Sequence, residues 1–113
     1  MEQNVSDKEI ERIIQEKGLT APRVTPARIQ EVIAKVEYFR LTGTLTVCVL
    51  TLANGFTVTG ESACASPENF NEEVGNRIAR ENAEAKIWAL EGYLLKQRLH
   101  DMANSGQAEK YPA

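Results

Sequence analysis

The chain has one histidine, His100, and two cysteines, Cys48 and Cys64. Structural zinc sites take four such ligands, so these residues do not make a metal centre. Also missing are a Gly-rich phosphate loop, a serine in a nucleophile elbow and a paired-carboxylate motif. Neither an enzyme nor a cofactor is expected. No run approaches the ~20 apolar residues of a membrane span, and the opening MEQNVSDKEIERII is polar where a secretory leader is apolar. A soluble cytoplasmic protein with no membrane contact is the expectation. A basic surplus is absent too: 13 Lys and Arg against 16 Asp and Glu leave a net charge of −3. That balance argues against a general DNA binder, although a local Arg cluster can still hold a small anion.

What the sequence does have is one dominant stretch, SPENFNEEVGNRIARENAEAKIWALEGYLLKQRL, from Ser66 to Leu99. Ser66 and Pro67 suit a helix start, and Asn71 with Glu72 and Glu73 offers a second cap. A single turn through Pro67 to Phe70 and a main helix from about Glu72 follow. At 100° per residue, Val74, Ile78, Ala85, Trp88, Ala89, Gly92, Leu95 and Leu99 form one broad apolar stripe. Ala79, Ala83, Ile87, Leu90 and Leu94 form a narrower one on the opposite side. The broad stripe is expected to meet a sheet, and the narrow one to be covered by a second copy or by the chain's own N-terminal helices.

Upstream, Ser6 and Glu9 make a capping box for a short amphipathic helix carrying Ile10, Ile13 and Ile14, which ends at Lys17-Gly18. Thr25-Pro26 opens a second helix with Ile29, Val32, Ile33 and Val36 at helical spacing. Three strands follow, Val36 to Leu41, Thr44 to Ala53 and Phe56 to Ala63, parted by Thr42-Gly43 and Asn54-Gly55. With Asn54-Gly55 as a two-residue turn, Ala53 pairs with Phe56 and Cys48 lies opposite Glu61. Cys48 and Cys64 then point to opposite faces, so no disulfide is expected and both are read as small buried thiols. In the same register Leu45, Val47, Val49, Phe56 and Val58 line the face that takes the long helix. Phe39, Thr46, Cys48, Leu50 and Leu52 line the other. Gly60 and Gly92 are candidates for close approach of helix and sheet.

The fold class is α+β: short N-terminal helices, a three-stranded antiparallel meander, and one long C-terminal helix packed on the sheet. Residues 1–113 make one domain, with an ordered core of about 6–100 and flexible tails at 1–5 and 102–113. Around the long helix's start, Asn69, Phe70, Asn71, Asn76, Arg77, Arg80 and Asn82 supply a ring, amides and guanidinium forks, the groups that hold a nucleotide. The same residues also fit a plainer role, with Phe70 as a plug under the turn and the arginines as surface ion-pair partners.

LTLANGFTVTGESACASPENFNEEVG and RENAEAKIWALEGYLLKQRL resemble a family of small phage and prophage proteins, the gene-66-like phage proteins. The resemblance runs from Leu19, in LTAPRVTP, to Leu99. The layout is similar to that of the phage sponge proteins that counter the Thoeris defence. The resemblance implies a hexameric assembly in the host cytoplasm that binds cyclic ADP-ribose variants, some members also holding cyclic oligonucleotides, without cleaving them. It implies pockets between subunits, built from an aromatic, an Asn and several Arg. The matching residue types are Phe70, Arg77, Asn82 and Arg98, with Arg23 in the connector. A different class of function is a small multimeric interaction module that blocks a host protein.

Overall fold

The computed structural model describes residues 7–19 and 21–105. The Ser6 cap lies outside them, as do residues 1–5 and 106–113 of the expected tails. The order is α1 (Asp7–Glu16), α2 (Pro26–Glu31), β1 (Ile33–Arg40), β2 (Leu45–Leu52), β3 (Thr57–Ala63), a 3-10 turn (Pro67–Asn69) and α3 (Glu72–Ala103). The sheet is an antiparallel meander with β2 in the middle, and α3 lies over β2 and β3.

Local chemistry accounts for most boundaries. The Asn71 side chain accepts from the Val74 N–H at 2.9 Å and starts α3, while Ser66 makes no side-chain cap hydrogen bond at the 3-10 turn. Thr25 caps α2 through the Arg28 N–H, with Pro26 in the first turn. Gly18, at φ 69°, lets the chain leave α1. α2 is shorter than its spacing suggested. Val32 caps it, Val32 C=O accepts from Ala53 N–H, and the β-branched Ile33 and Val36 join β1. α3 runs past Leu99 to Ala103.

The hairpin register corrects the expected faces. Asn54 does not take positive φ, as a two-residue type I′ turn requires; only Gly55 does, at 93°. Gly55 N–H bonds to Leu52 C=O at 2.8 Å and Leu52 N–H to Phe56 C=O at 2.7 Å, so Ala53 to Gly55 form a three-residue loop. Leu50 therefore pairs with Val58, and Cys48 with Gly60 in place of Glu61. On the other side Tyr38 pairs with Cys48, and Phe39 with Val47. A shift of one residue turns every side chain to the opposite face.

The core face is thus Thr46, Cys48, Leu50, Leu52 and Val58, closed by Ile29 and Val32 of the α2 end. The helix stripe that meets it is Gly75, Ala79, Ala83, Ile87 and Glu91, the narrow one. Gly60 decides this pairing, because a Cβ there would collide with the Ala79 carbonyl and the Ala83 nitrogen. Only a row of small side chains reaches so near the sheet. In the broad stripe, Val74 and Ile78 stay 53% and 42% exposed, and Gly92 faces open space. Both cysteines are free, Cys48 buried and Cys64 half-buried. In the observed register their pairing partners share one face, and four residues of strand, about 13 Å, keep them apart. Burial pushes the Cys48 thiol up, away from the reactive thiolate.

Candidate functional site

Because α3 covers β2 and β3, the helix-facing side of β1 is left open beside it. There a shallow, open groove of about 760 Å³ is lined by Tyr38 from β1 and by Asn71, Glu72, Glu73, Asn76, Arg77 and Arg80 from the start of α3. The i, i+3 and i, i+4 spacing of Glu73, Asn76, Arg77 and Arg80 places them along one side of the helix. Tyr38 reaches the groove because the observed register turns it to the helix side with Cys48.

The two arginines differ in freedom. Arg80 is one-third exposed and held: its Nε donates to Glu84 at 2.8 Å and its Nη2 to Gln30 at 3.0 Å, and Gln30 Nε2 donates to Glu84 at 3.1 Å. Glu84, and then Tyr38, hold its guanidinium still more firmly protonated. Arg77 is 81% exposed and, among the described residues, bonded only to Glu81, at 3.3 Å, an exposed pair of little strength. A ligand can therefore meet one fixed fork and one that swings. Glu72 and Glu73 add negative charge at the same end, so an anion is favoured only toward the Arg77 and Arg80 side.

Of the five residues that the resemblance implied, Arg77 lines this groove. Phe70 is packed: the Arg40 guanidinium lies 3.5 Å from its ring centroid, and its edge is near Gly75. Asn82 donates from Nδ2 to the Glu61 carbonyl at 2.7 Å, tying α3 to the outer edge of β3. Arg23 grips Glu11 with both terminal guanidinium nitrogens, at 3.1 and 2.6 Å, and tethers α1 to the connector. Arg98 is exposed near the far end of α3, about 32 Å along the helix from Arg77 at 1.5 Å per residue. One chain does not bring Arg98 to this groove. Sequence reasoning missed Tyr38 and Arg40, whose side of the sheet follows only from the true register. It also missed Glu91, 9% exposed, which takes a 3.0 Å bond from Arg28 and docks α2 on α3.

Among the described residues, no group of three or more His, Cys, Asp and Glu is arranged to hold a metal, and no helix is long and apolar enough to cross a membrane. No curated protein and no solved structure matches the chain. A family model matches residues 24–99, which hold β1 to β3, the groove and most of α3, and the chain belongs to that family, the phage protein (N4 Gp49/phage Sf6 gene 66) family.

Proposed function

We propose that this phage protein is an anti-defence sponge: it binds a cyclic nucleotide signal, a cyclic ADP-ribose variant or a cyclic oligonucleotide, in the groove beside α3 and withholds it without cleavage. The supporting observation is the groove itself, where a tyrosine ring, the Asn71 and Asn76 amides and two guanidinium forks converge at one helix start. A ring stacks on a base, amides read its edge, and Arg binds phosphate bidentately. Sequestration needs affinity and copy number, and a nanomolar Kd of about −12 kcal/mol withdraws a signal from any weaker receptor. In this reading the protein works in the host cytoplasm as a homo-oligomer, of which a hexamer is one form. The exposed start of the broad α3 stripe, Val74 and Ile78, is one contact, and Arg98 of a second copy, with Arg23, reaches a ligand only across chains.

The test is a melting experiment on the purified protein with cyclic ADP-ribose isomers and cyclic dinucleotides, followed by denaturation and recovery of the nucleotide. The reading expects a shift and an intact ligand; no shift across the series overturns it. Arg80→Ala is expected to weaken binding about 10-fold or more, the worth of one hydrogen bond to a charged group. A second reading, a module that blocks a host protein, is favoured by the uncovered sheet face, where Phe39 and Leu41 are 44% and 62% exposed. It expects a protein partner, no nucleotide shift, and loss of the partner with Phe39→Ser.

A further inference from the structure

The two outer edges of the sheet are not alike. Along β3 the groups turned outward belong to Thr57, Thr59, Glu61 and Ala63, since Cys64 N–H bonds inward to Thr44 C=O and the pattern alternates. Asn82 occupies the Glu61 carbonyl in the middle of that edge, and α3 lies above it. Along β1, Leu41 N–H bonds inward to Leu45 C=O, so Val36, Tyr38 and Arg40 turn their backbone groups outward. Neither a helix nor a side-chain cap covers them among the described residues. An open edge of this kind is a template for another strand.

We infer that two copies of this chain join edge to edge along β1, antiparallel and centred on Val36, to make a continuous six-stranded sheet. Charge selects the centre. On the sheet's outer face Lys35 and Glu37 already approach to 3.5 Å within one chain. Centred on Val36, the pairing sets Lys35 of each copy opposite Glu37 of the other and closes an alternating square of four charges. A centre on Glu37 would oppose two glutamates. A centre on Tyr38 would put Lys35 opposite Leu41 and Glu37 opposite Phe39. The Val36 register also sets Tyr38 opposite Ala34, the small residue where the β1 ladder shifts, which leaves room for the ring.

The dyad is perpendicular to the sheet, so both α3 helices stand on the same side. With strands about 4.8 Å apart and each helix over β2 and β3, the two axes lie about 19 Å apart. Subtracting a helix diameter of about 10 Å leaves about 9 Å. Of this, α2, tied to α3 by Arg28 and Gln30, fills the part beside the start of each β1 and leaves a trough over Tyr38. Its floor is the β1 pair with both Tyr38 rings, and Arg77 and Arg80 line each wall. The groove of one chain is then half of a site. The edge pairing stands without a ligand; only the use of the trough rests on the function proposed above.

The test is solution mass by light scattering of the full chain, with Lys35→Glu, Glu37→Lys and the double exchange. The wild type is expected at an even number of copies. Each single exchange sets like charges opposite and halves the mass, and the double exchange restores it. A monomeric wild type, or a mass unmoved by Lys35→Glu, overturns the pairing. Val36→Cys in a Cys64→Ser background faces its own symmetry mate, so mild oxidation is expected to give a covalent dimer. Thr59→Cys on the closed edge gives none. Absence of the Val36→Cys dimer overturns the pairing as well. A nucleotide shift lost while these masses behave as stated would count against the sponge reading alone.

Discussion

The sheet's two edges teach different lessons although both are ordinary antiparallel strands. β3 is sealed: Gly60 admits the backbone of α3, Ala79 and Ala83 fill the seam, and Asn82 ties the helix to the Glu61 carbonyl. β1 has none of these. Among the described residues its outward backbone is uncovered, its side chains are mostly exposed, and the groove opens above it. One edge holds the fold together, and the other is available for something that is not part of the fold. Substitutions on the β3 side are therefore expected to cost stability, and those on the β1 side to change assembly or binding.

The largest effect is expected at the seam. Gly60→Val drives two methyl groups into the helix backbone, and a loss upward of about 4 kcal/mol, read by urea denaturation, is expected, near the limit for one substitution. A mild effect would mean that α3 shifts easily, which would blur the contrast. Ile87→Ala, at a fully buried site, comes next at about 3 kcal/mol, measured the same way. Asn82→Ala is expected to cost about 1 kcal/mol, with faster amide exchange along β3. On the other edge, Lys35→Glu is expected to change monomer stability by less than about 0.5 kcal/mol while halving the mass. Equal stability losses at both edges would dissolve the distinction.

The smallest expected effect is at neither edge but at the α1 tether. Arg23 holds the Glu11 carboxyl below its usual range, so the bond gains nothing at low pH and is complete above the ordinary glutamate value. On acidification through that lowered value Glu11 protonates and the tether loosens. Amide exchange in α1 should quicken there before the α3 seam responds. α1 buries no residue, so the rest of the fold is expected to be indifferent.

The site was legible in part. Arg77, Asn76 and Arg80 follow from helical spacing after the Asn71 cap, so their nearness was readable. Tyr38 was not, because its side depends on a register that no residue of β1 announces. Phe70 reads equally well as a stacking plate or a plug, and only Arg40 over its ring shows that this face is occupied. Arg98 is the right residue type at a distance that one chain does not close.

Elements, their order and their caps were set by local chemistry: Thr25-Pro26 and Asn71 start helices, Gly18 ends one, and β-branched runs between Gly-containing turns make a meander. Which faces meet was decided only in three dimensions. Asn-Gly accommodates both a two-residue and a three-residue loop, and the difference of one residue moves Val58 and Gly60 of β3 onto the face of Cys48 and Leu50. The helix has two apolar stripes, and the larger carries more hydrophobic area. Close packing chose the smaller, because the backbone at Gly60 comes near enough to α3 that alanines fit there and larger side chains do not.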